Sequence, residues 1–275
     1  MNYQLLAITC VLSLFTYGGT LAQTNKDSET QLWCEYPAAG KNNGKKVVLI
    51  AGDDEYRSEE ALPMLGKILA RRHGFHSIVL FPINPEGNVI QPDFQTNIPG
   101  MEHLDDADLI ILGLRFRNLP DEQMKHFDQY LQSGKPIIGL RTSTHAFNIP
   151  GNSDSQYKHY THNSRDWPGG FGQQVLGDTW VSHHGRHKRE STRGVIVKEN
   201  ASHPVLKGVE DVWGPTDVYG IIRLPESATV LLDGAVLEGM SPDDVPVQGK
   251  KNDPMMPLAW VRDYQNKSGA TNKIF

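Results

Sequence analysis

After Lys45-Lys46, Val47-Val48-Leu49-Ile50-Ala51 is an unbroken aliphatic run that stops at Gly52 and passes at once into Asp53-Asp54-Glu55-Tyr56-Arg57. A strand with no polar alternation must be covered on both faces, and this happens in parallel sheets sandwiched between helices. The next segment meets that need. From Ser58 onward, Leu62, Leu65, Ile68 and Leu69 fall at helical spacing, with Glu59 and Glu60 near the start and Arg71, Arg72 and His73 near the end, matching the helix dipole. Pro63 is expected to mark the first turn of this helix.

The same alternation continues. Ser77 to Phe81 reads as a second strand and Asp108 to Leu114 as a third. Pro120 to Ser133 reads as a helix with Met124, Phe127, Tyr130 and Leu131 on one face and Gly134 as its stop, and Lys135 to Leu140 as a fourth strand. Such a succession predicts an α/β fold: an open, mostly parallel sheet flanked by helices, with right-handed crossovers. Added strands are expected in the C-terminal half at Gly194 to Val197, Tyr219 to Leu224, Thr229 to Leu232 and Pro257 to Val261. Between Thr142 and about Arg189 the periodicity is lost, and the polar stretch Asn152 to Gly170 reads as a functional or disordered loop. Lys273-Ile274-Phe275 reads as the opening of another strand, so the sequence is expected to continue.

Met1 to Ala22 contains no charged residue or histidine and runs through Leu5, Leu6, Ile8, Val11, Leu12, Leu14 and Phe15. This is a signal-peptide pattern, with Thr20-Leu21-Ala22 as the cleavage site, and an uncleaved anchor is the alternative. The expected organisation is a signal at 1–22, a leader segment at 23–44 and one domain over 45–275, exported to a periplasm or secreted and free of the membrane after cleavage. Cleavage removes Cys10 and leaves Cys34 alone, so the mature chain forms no intramolecular disulfide. A net charge of −5 and a pI near 6.1 offer no excess of positive charge for phosphates, which disfavours a nucleic-acid partner. The sequence does not define an oligomeric state.

Polar residues concentrate after the predicted strands. Gly52 to Arg57 follows the first, Arg115-Phe116-Arg117-Asn118 the third and Arg141-Thr142-Ser143-Thr144-His145 the fourth. Open α/β sheets bind ligands outside the carboxyl ends of their strands, so these segments are expected to meet. Guanidinium forks and carboxylates suit a ligand with many oxygens, such as a sugar or sugar acid. His145 is the expected proton carrier because an unperturbed imidazole titrates near neutrality, with Asp54 or Glu55 as its partner carboxylate. Arg57, Arg115, Arg117, Arg141 and Thr144 are the expected substrate contacts. The alternative for each residue is mutual Asp–Arg pairing that merely closes the loops.

Seven of the eleven histidines lie between His145 and His203, three of them in His183-His184-Gly185-Arg186-His187. His183 and His187 are candidate zinc ligands, whereas Gly185 and the cations Arg186, Lys188 and Arg189 favour ligand-contacting or solvated rings and no metal or other cofactor. One of Trp167, Trp180 and Trp213 is a candidate platform for a sugar's apolar face, with core packing as the commoner use.

Several of these residues carry a resemblance. The strand-Gly-Asp-Asp-Glu-Tyr-Arg start, the strand Pro136-Ile137-Ile138-Gly139-Leu140 leading to Thr144-His145-Ala146-Phe147, the segment His203-Pro204-Val205-Leu206-Lys207-Gly208 and Asp217-Val218-Tyr219 resemble the trehalose-utilisation (ThuA-like) family. That family is related to class I glutamine amidotransferases, and the likeness runs from about Lys45 to Phe275. It implies a flavodoxin-like three-layer sandwich. Asp217 and Tyr219 are expected to close the wall opposite the strand-end loops, and His183 and His184 are further expected substrate contacts. The resemblance also places Arg141 and Thr142 where an amidotransferase carries its cysteine, so thiolate chemistry is excluded at that turn. The implied function is acid/base chemistry on a small carbohydrate, trehalose or a 3-keto-glycoside, as a hydrolase, lyase or isomerase. A non-catalytic carbohydrate-binding protein using the same cleft is the alternative, and a zinc hydrolase centred on His145, His183 and His187 is a third reading.

Overall fold

The computed structural model describes residues 31–275; the signal-peptide reading falls on residues outside these. Among the described residues, ten strands form one sheet. In chain order they are β1 (Trp33–Tyr36), β2 (Lys46–Gly52), β3 (His76–Leu80), β4 (Leu109–Leu114), β5 (Ile137–Gly139), β6 (Thr192–Ile196), β7 (Val212–Gly214), β8 (Thr229–Val236), β9 (Met256–Gln265) and β10 (Thr271–Ile274). Their spatial order is β1-β3-β2-β4-β5-β10-β9-β8-β6-β7. The centre, β3-β2-β4-β5-β10, is parallel, and every remaining pairing is antiparallel. The α/β expectation therefore holds, with the added strands forming an antiparallel wing.

Strand alternation sorts β2 between two cores. Val47, Leu49 and Ala51 pack with Leu62 of α1 (Ser58–His73), whereas Val48 and Ile50 belong to the cluster holding Met124, Phe127 and Leu131 of α2 (Asp121–Gln132). One helix thus covers each face. Each fully buried aliphatic side chain contributes about 1.5–3 kcal/mol, which explains why this run tolerates no polar residue.

α1 begins at Ser58, so Pro63 lies inside the helix and not in its first turn. The early start has a local cause: Ser58 Oγ accepts from the N–H groups of Gly52 (3.0 Å) and Asp53 (2.9 Å), which ties the first helical residue to the end of β2. The expected strand at Tyr219 to Leu224 does not form, apart from an isolated bridge between His183 and Tyr219. Buried Asp178 takes the place of a neighbouring strand, its Oδ2 accepting from the N–H groups of Ile222 (2.7 Å) and Arg223 (3.0 Å). β1 falls within what reads as leader sequence and pairs antiparallel with β3, so the sheet begins before Lys45.

The aperiodic stretch after Thr142 is packed. Phe147, Tyr160 and Phe171 are buried against Phe127, with ring centroids 5.0 Å (Phe147), 6.0 Å (Tyr160) and 5.3 Å (Phe171) from it. These rings leave the backbone at irregular intervals because turns and single helical turns, not a repeating element, present them.

Candidate functional site

Counted among themselves in chain order, the parallel strands lie 2-1-3-4-5, so the order reverses between β2 and β4. The crevice expected at such a reversal lies at the carboxyl ends of those two strands. The three strand-end segments do meet there. Arg115 Nη1 lies 3.2 Å from Asp54 Oδ1 and Arg115 Nε 3.3 Å from Glu55 Oε2. Thr142 Oγ1 donates to Asp53 Oδ2 at 2.5 Å, and the Phe116 N–H donates to the His145 carbonyl at 3.0 Å. Two further segments close the group: His187 Nε2 is 3.3 Å from Glu55 Oε1, and Arg141 Nη1 donates to the Asp217 carbonyl at 2.8 Å.

Backbone strain gathers at the same place. Among the described non-glycine residues, Arg57 (φ 53°), Phe116 (φ 52°), Arg141 (φ 31°) and Lys188 (φ 61°) have left-handed conformations, and Asn88 is the only other that does. A non-glycine residue held there costs of order 1–3 kcal/mol and persists where surrounding contacts over-determine it, a pattern common at functional sites. Arg141 occupies the sharp turn after β5, where the resemblance places the amidotransferase cysteine. Its guanidinium lies 3.9 Å from the Tyr219 ring centroid and 4.7 Å from that of Tyr56. Stacking on two rings fixes this cation's orientation.

Asp217 is fully buried and serves two imidazoles. Its Oδ2 lies 2.7 Å from His183 Nδ1 and its Oδ1 2.8 Å from His187 Nδ1, while Arg141 Nη2 stands 3.4 Å from the same Oδ1. Beside this cluster opens a cavity of about 330 Å³. Arg141, Thr144, Asp217 and Tyr219 form its polar side, and Trp213, Trp260, Leu176, Leu258 and Ile221 its apolar side. Both indole N–H groups are tied, Trp213 to Ser191 Oγ (3.2 Å) and Trp260 to the Leu176 carbonyl (2.7 Å), so the two rings are fixed walls.

The structure redistributes several expected roles. Arg117 is 0% exposed; its Nε donates to the Arg115 carbonyl (2.7 Å) and its Nη1 to the carbonyls of Pro92 (3.0 Å) and Phe94 (3.2 Å). It braces the loop from inside, with its Nη2 3.7 Å from Asp54 Oδ1, because the left-handed Phe116 breaks the alternation that would have turned it outward. Arg117→Met leaves those carbonyls without their donor and is expected to lower unfolding stability by about 3 kcal/mol, read from the urea midpoint. Arg57 pairs with Glu60 on the exposed first turn of α1, and His184 Nε2 is held by the Lys251 carbonyl at 2.8 Å, so neither side chain joins the cluster. Trp167 packs against Tyr160 in the core, while Trp180 lies 5.5 Å from His145 and 5.8 Å from His183.

His145 is 3% exposed and packed against Phe116, Trp180 and Tyr219. Burial, and then the cations around it led by Arg115, push its pKa down from 6.5 to about 3. It is uncharged at neutral pH and does not titrate near neutrality as a free imidazole would. The sign of the linkage follows. The unfolded chain binds the proton from 6.5 downward and the folded one does not, so the His145 contribution is complete above pH 6.5 and is lost as pH falls toward 3. His145→Phe is expected to flatten the fall in stability across that window by a few kcal/mol, measured as the difference in urea midpoints between the two proteins.

Among solved structures, a ThuA-like protein from Parabacteroides merdae matches this chain at TM-score 0.50 and 15% identity, over 85% of this chain and 78% of that one. A ThuA-like protein from Bacteroides uniformis matches at TM-score 0.48 and 16% identity, over 87% and 84%. No family model and no curated protein matches the sequence. The first likeness shows a shared fold: the chain has the ThuA-like α/β fold.

Proposed function

We propose that this chain is an exported member of the ThuA-like family that acts on a sugar or glycoside, of the trehalose or 3-keto-glycoside class, by acid/base chemistry. The observation that carries the reading is the convergence of five separate chain segments on one cleft, through Asp54, Glu55, Arg115, Arg141, His183, His187 and Asp217. Glu55 is the proton-moving carboxylate. Both of its ion contacts are at 3.3 Å, longer than the 2.7–2.9 Å of a tight charge-assisted bond, and its side chain is 29% exposed, so it remains free to reach a ligand.

A 3-keto sugar has acidic C–H bonds beside its carbonyl. A carboxylate removes such a proton while nearby cations stabilise the charge that develops on oxygen. Arg115 and Arg141 stand where they supply that charge, and His183, Asp217 and Tyr219 form the facing wall. Trp213 and Trp260 offer flat apolar surfaces to the sugar's C–H face. The turn after β5 carries a guanidinium and no thiol, which supports chemistry other than amide transfer.

The test is incubation of the purified protein in D2O with trehalose, simple glycosides and their 3-keto forms, followed by NMR. Deuterium incorporation beside the carbonyl, or a new product, is expected for at least one keto-glycoside. Saturable binding without exchange or product would instead mark an accessory binding protein, and no binding at all would remove the sugar assignment.

A further inference from the structure

His187 sits between two carboxylates, and a neutral imidazole cannot satisfy both. Its Nδ1 lies 2.8 Å from Asp217 Oδ1 and its Nε2 3.3 Å from Glu55 Oε1. With one ring proton, whichever nitrogen donates leaves the other lone pair facing a negative oxygen. Either the ring carries a second proton, or a cation lies on the Asp217 side and the Nε2–H donates to Glu55. The latter is the arrangement in which metal-bound imidazoles are commonly held, with a carboxylate on the outer nitrogen.

Other features favour the cation. The His183 ring stands 4.7 Å from that of His187 and turns a second Nδ1 to the same carboxylate. One ligand atom from each of His183, His187 and Asp217 lies within 4.8 Å of the others. Asp53, Asp54, Glu55 and Asp217 against Arg115, Arg117 and Arg141 leave one net negative charge in the cluster. The nearby cations are in part engaged elsewhere: Arg186 Nε is 2.9 Å from Glu190 Oε1, and Lys251 Nζ is 2.6 Å from Glu190 Oε2. His183 has 36% of its side chain exposed, so the cluster is open to solvent on one side. Two imidazoles and one carboxylate with open positions suit a divalent first-row transition ion rather than calcium or magnesium, which prefer all-oxygen shells.

We propose that His183, His187 and Asp217 bind one divalent transition-metal ion of the zinc or manganese type, with Glu55 holding His187 from behind. The site goes beyond the sugar reading, because ion binding is measurable with no sugar present. If both hold, the ion is a Lewis acid facing the same cleft into which Arg141 points.

The experiment strips the full chain with a chelator and titrates it with zinc chloride and, separately, manganese chloride by calorimetry. One equivalent is expected for at least one of the ions, at about micromolar Kd or tighter. His183→Ala and His187→Ala are each expected to weaken binding by about 100-fold, and Glu55→Gln by about tenfold. His126→Ala, whose ring pairs with Asp105 on the surface at 2.7 Å, is expected to bind as wild type does. Circular dichroism melts establish that each variant is folded; partly exposed His183 is the substitution that leaves the buried carboxylate in place. Absent or substoichiometric uptake of both ions by the wild type, or undiminished uptake in folded His183→Ala and His187→Ala, overturns the site. Deuterium exchange into a keto-glycoside without metal uptake would discard this inference and leave the proposed function standing, and metal uptake without any sugar binding would do the reverse.

Discussion

Glu55→Gln is expected to lower turnover of a responsive glycoside by about 10²- to 10⁴-fold while leaving affinity within about tenfold. The amide keeps the size of the side chain and one oxygen to accept from Arg115, so the 3.3 Å contact survives in outline. What it loses is the capacity to accept and return a proton. Reporting kcat and KM separately is therefore decisive. A fall in kcat at nearly constant KM supports proton transfer by this carboxylate, whereas a rise in KM alone would make Glu55 a binding group. Full turnover in the variant would place the proton transfer on another residue.

Gly172→Ala is expected to cost about 4 kcal/mol or more, and to disturb the cleft although residue 172 touches no ligand. A Cβ at this position would lie 1.9 Å from the Thr144 carbonyl oxygen and 3.1 Å from that of Asp178. Both obstacles are backbone, and the Thr144 carbonyl also accepts from Thr179 Oγ1 at 3.1 Å, so neither moves cheaply. Relief would have to come from the turn Arg141–His145, which positions the guanidinium on Tyr219. A large drop in urea midpoint with loss of ligand binding is the expected result. Gly151→Ala, where an added Cβ meets nothing within 4 Å, is the comparison that should change little. An unchanged midpoint in Gly172→Ala would mean that the turn is not packed as described.

The parallel core was legible because burial on both faces leaves one kind of pattern, and β2, β3, β4 and β5 fall where that pattern predicts. From those strands the rule about carboxyl ends brought Asp54, Glu55, Arg115 and Arg141 together without knowledge of any contact. Individual side chains were less legible. Arg117 lies two residues from Arg115 and would share its face in a regular strand, but the left-handed Phe116 between them sends it inward. The expectation for His145 rests on the pKa of a free imidazole, and burial among rings is a tertiary property that no local pattern reports. The partnership of His187 with both Asp217 and Glu55 joins residues far apart in sequence, which no local pattern reports. Nothing in the sequence marks Tyr56, the second ring beneath Arg141, or Trp260, a cavity wall, because an aromatic residue in a loop or strand ordinarily reads as core.

The central claim, that the five segments make one cleft for an oxygen-rich ligand, is tested most directly by thermal unfolding of wild type and Arg141→Met across a concentration series of a 3-keto-glycoside. Only a ligand that binds the native state raises the midpoint. A rise in wild type that needs about tenfold more ligand, or is lost, in Arg141→Met is the predicted result. An equal rise in both proteins, or no rise with any keto-glycoside, would contradict it.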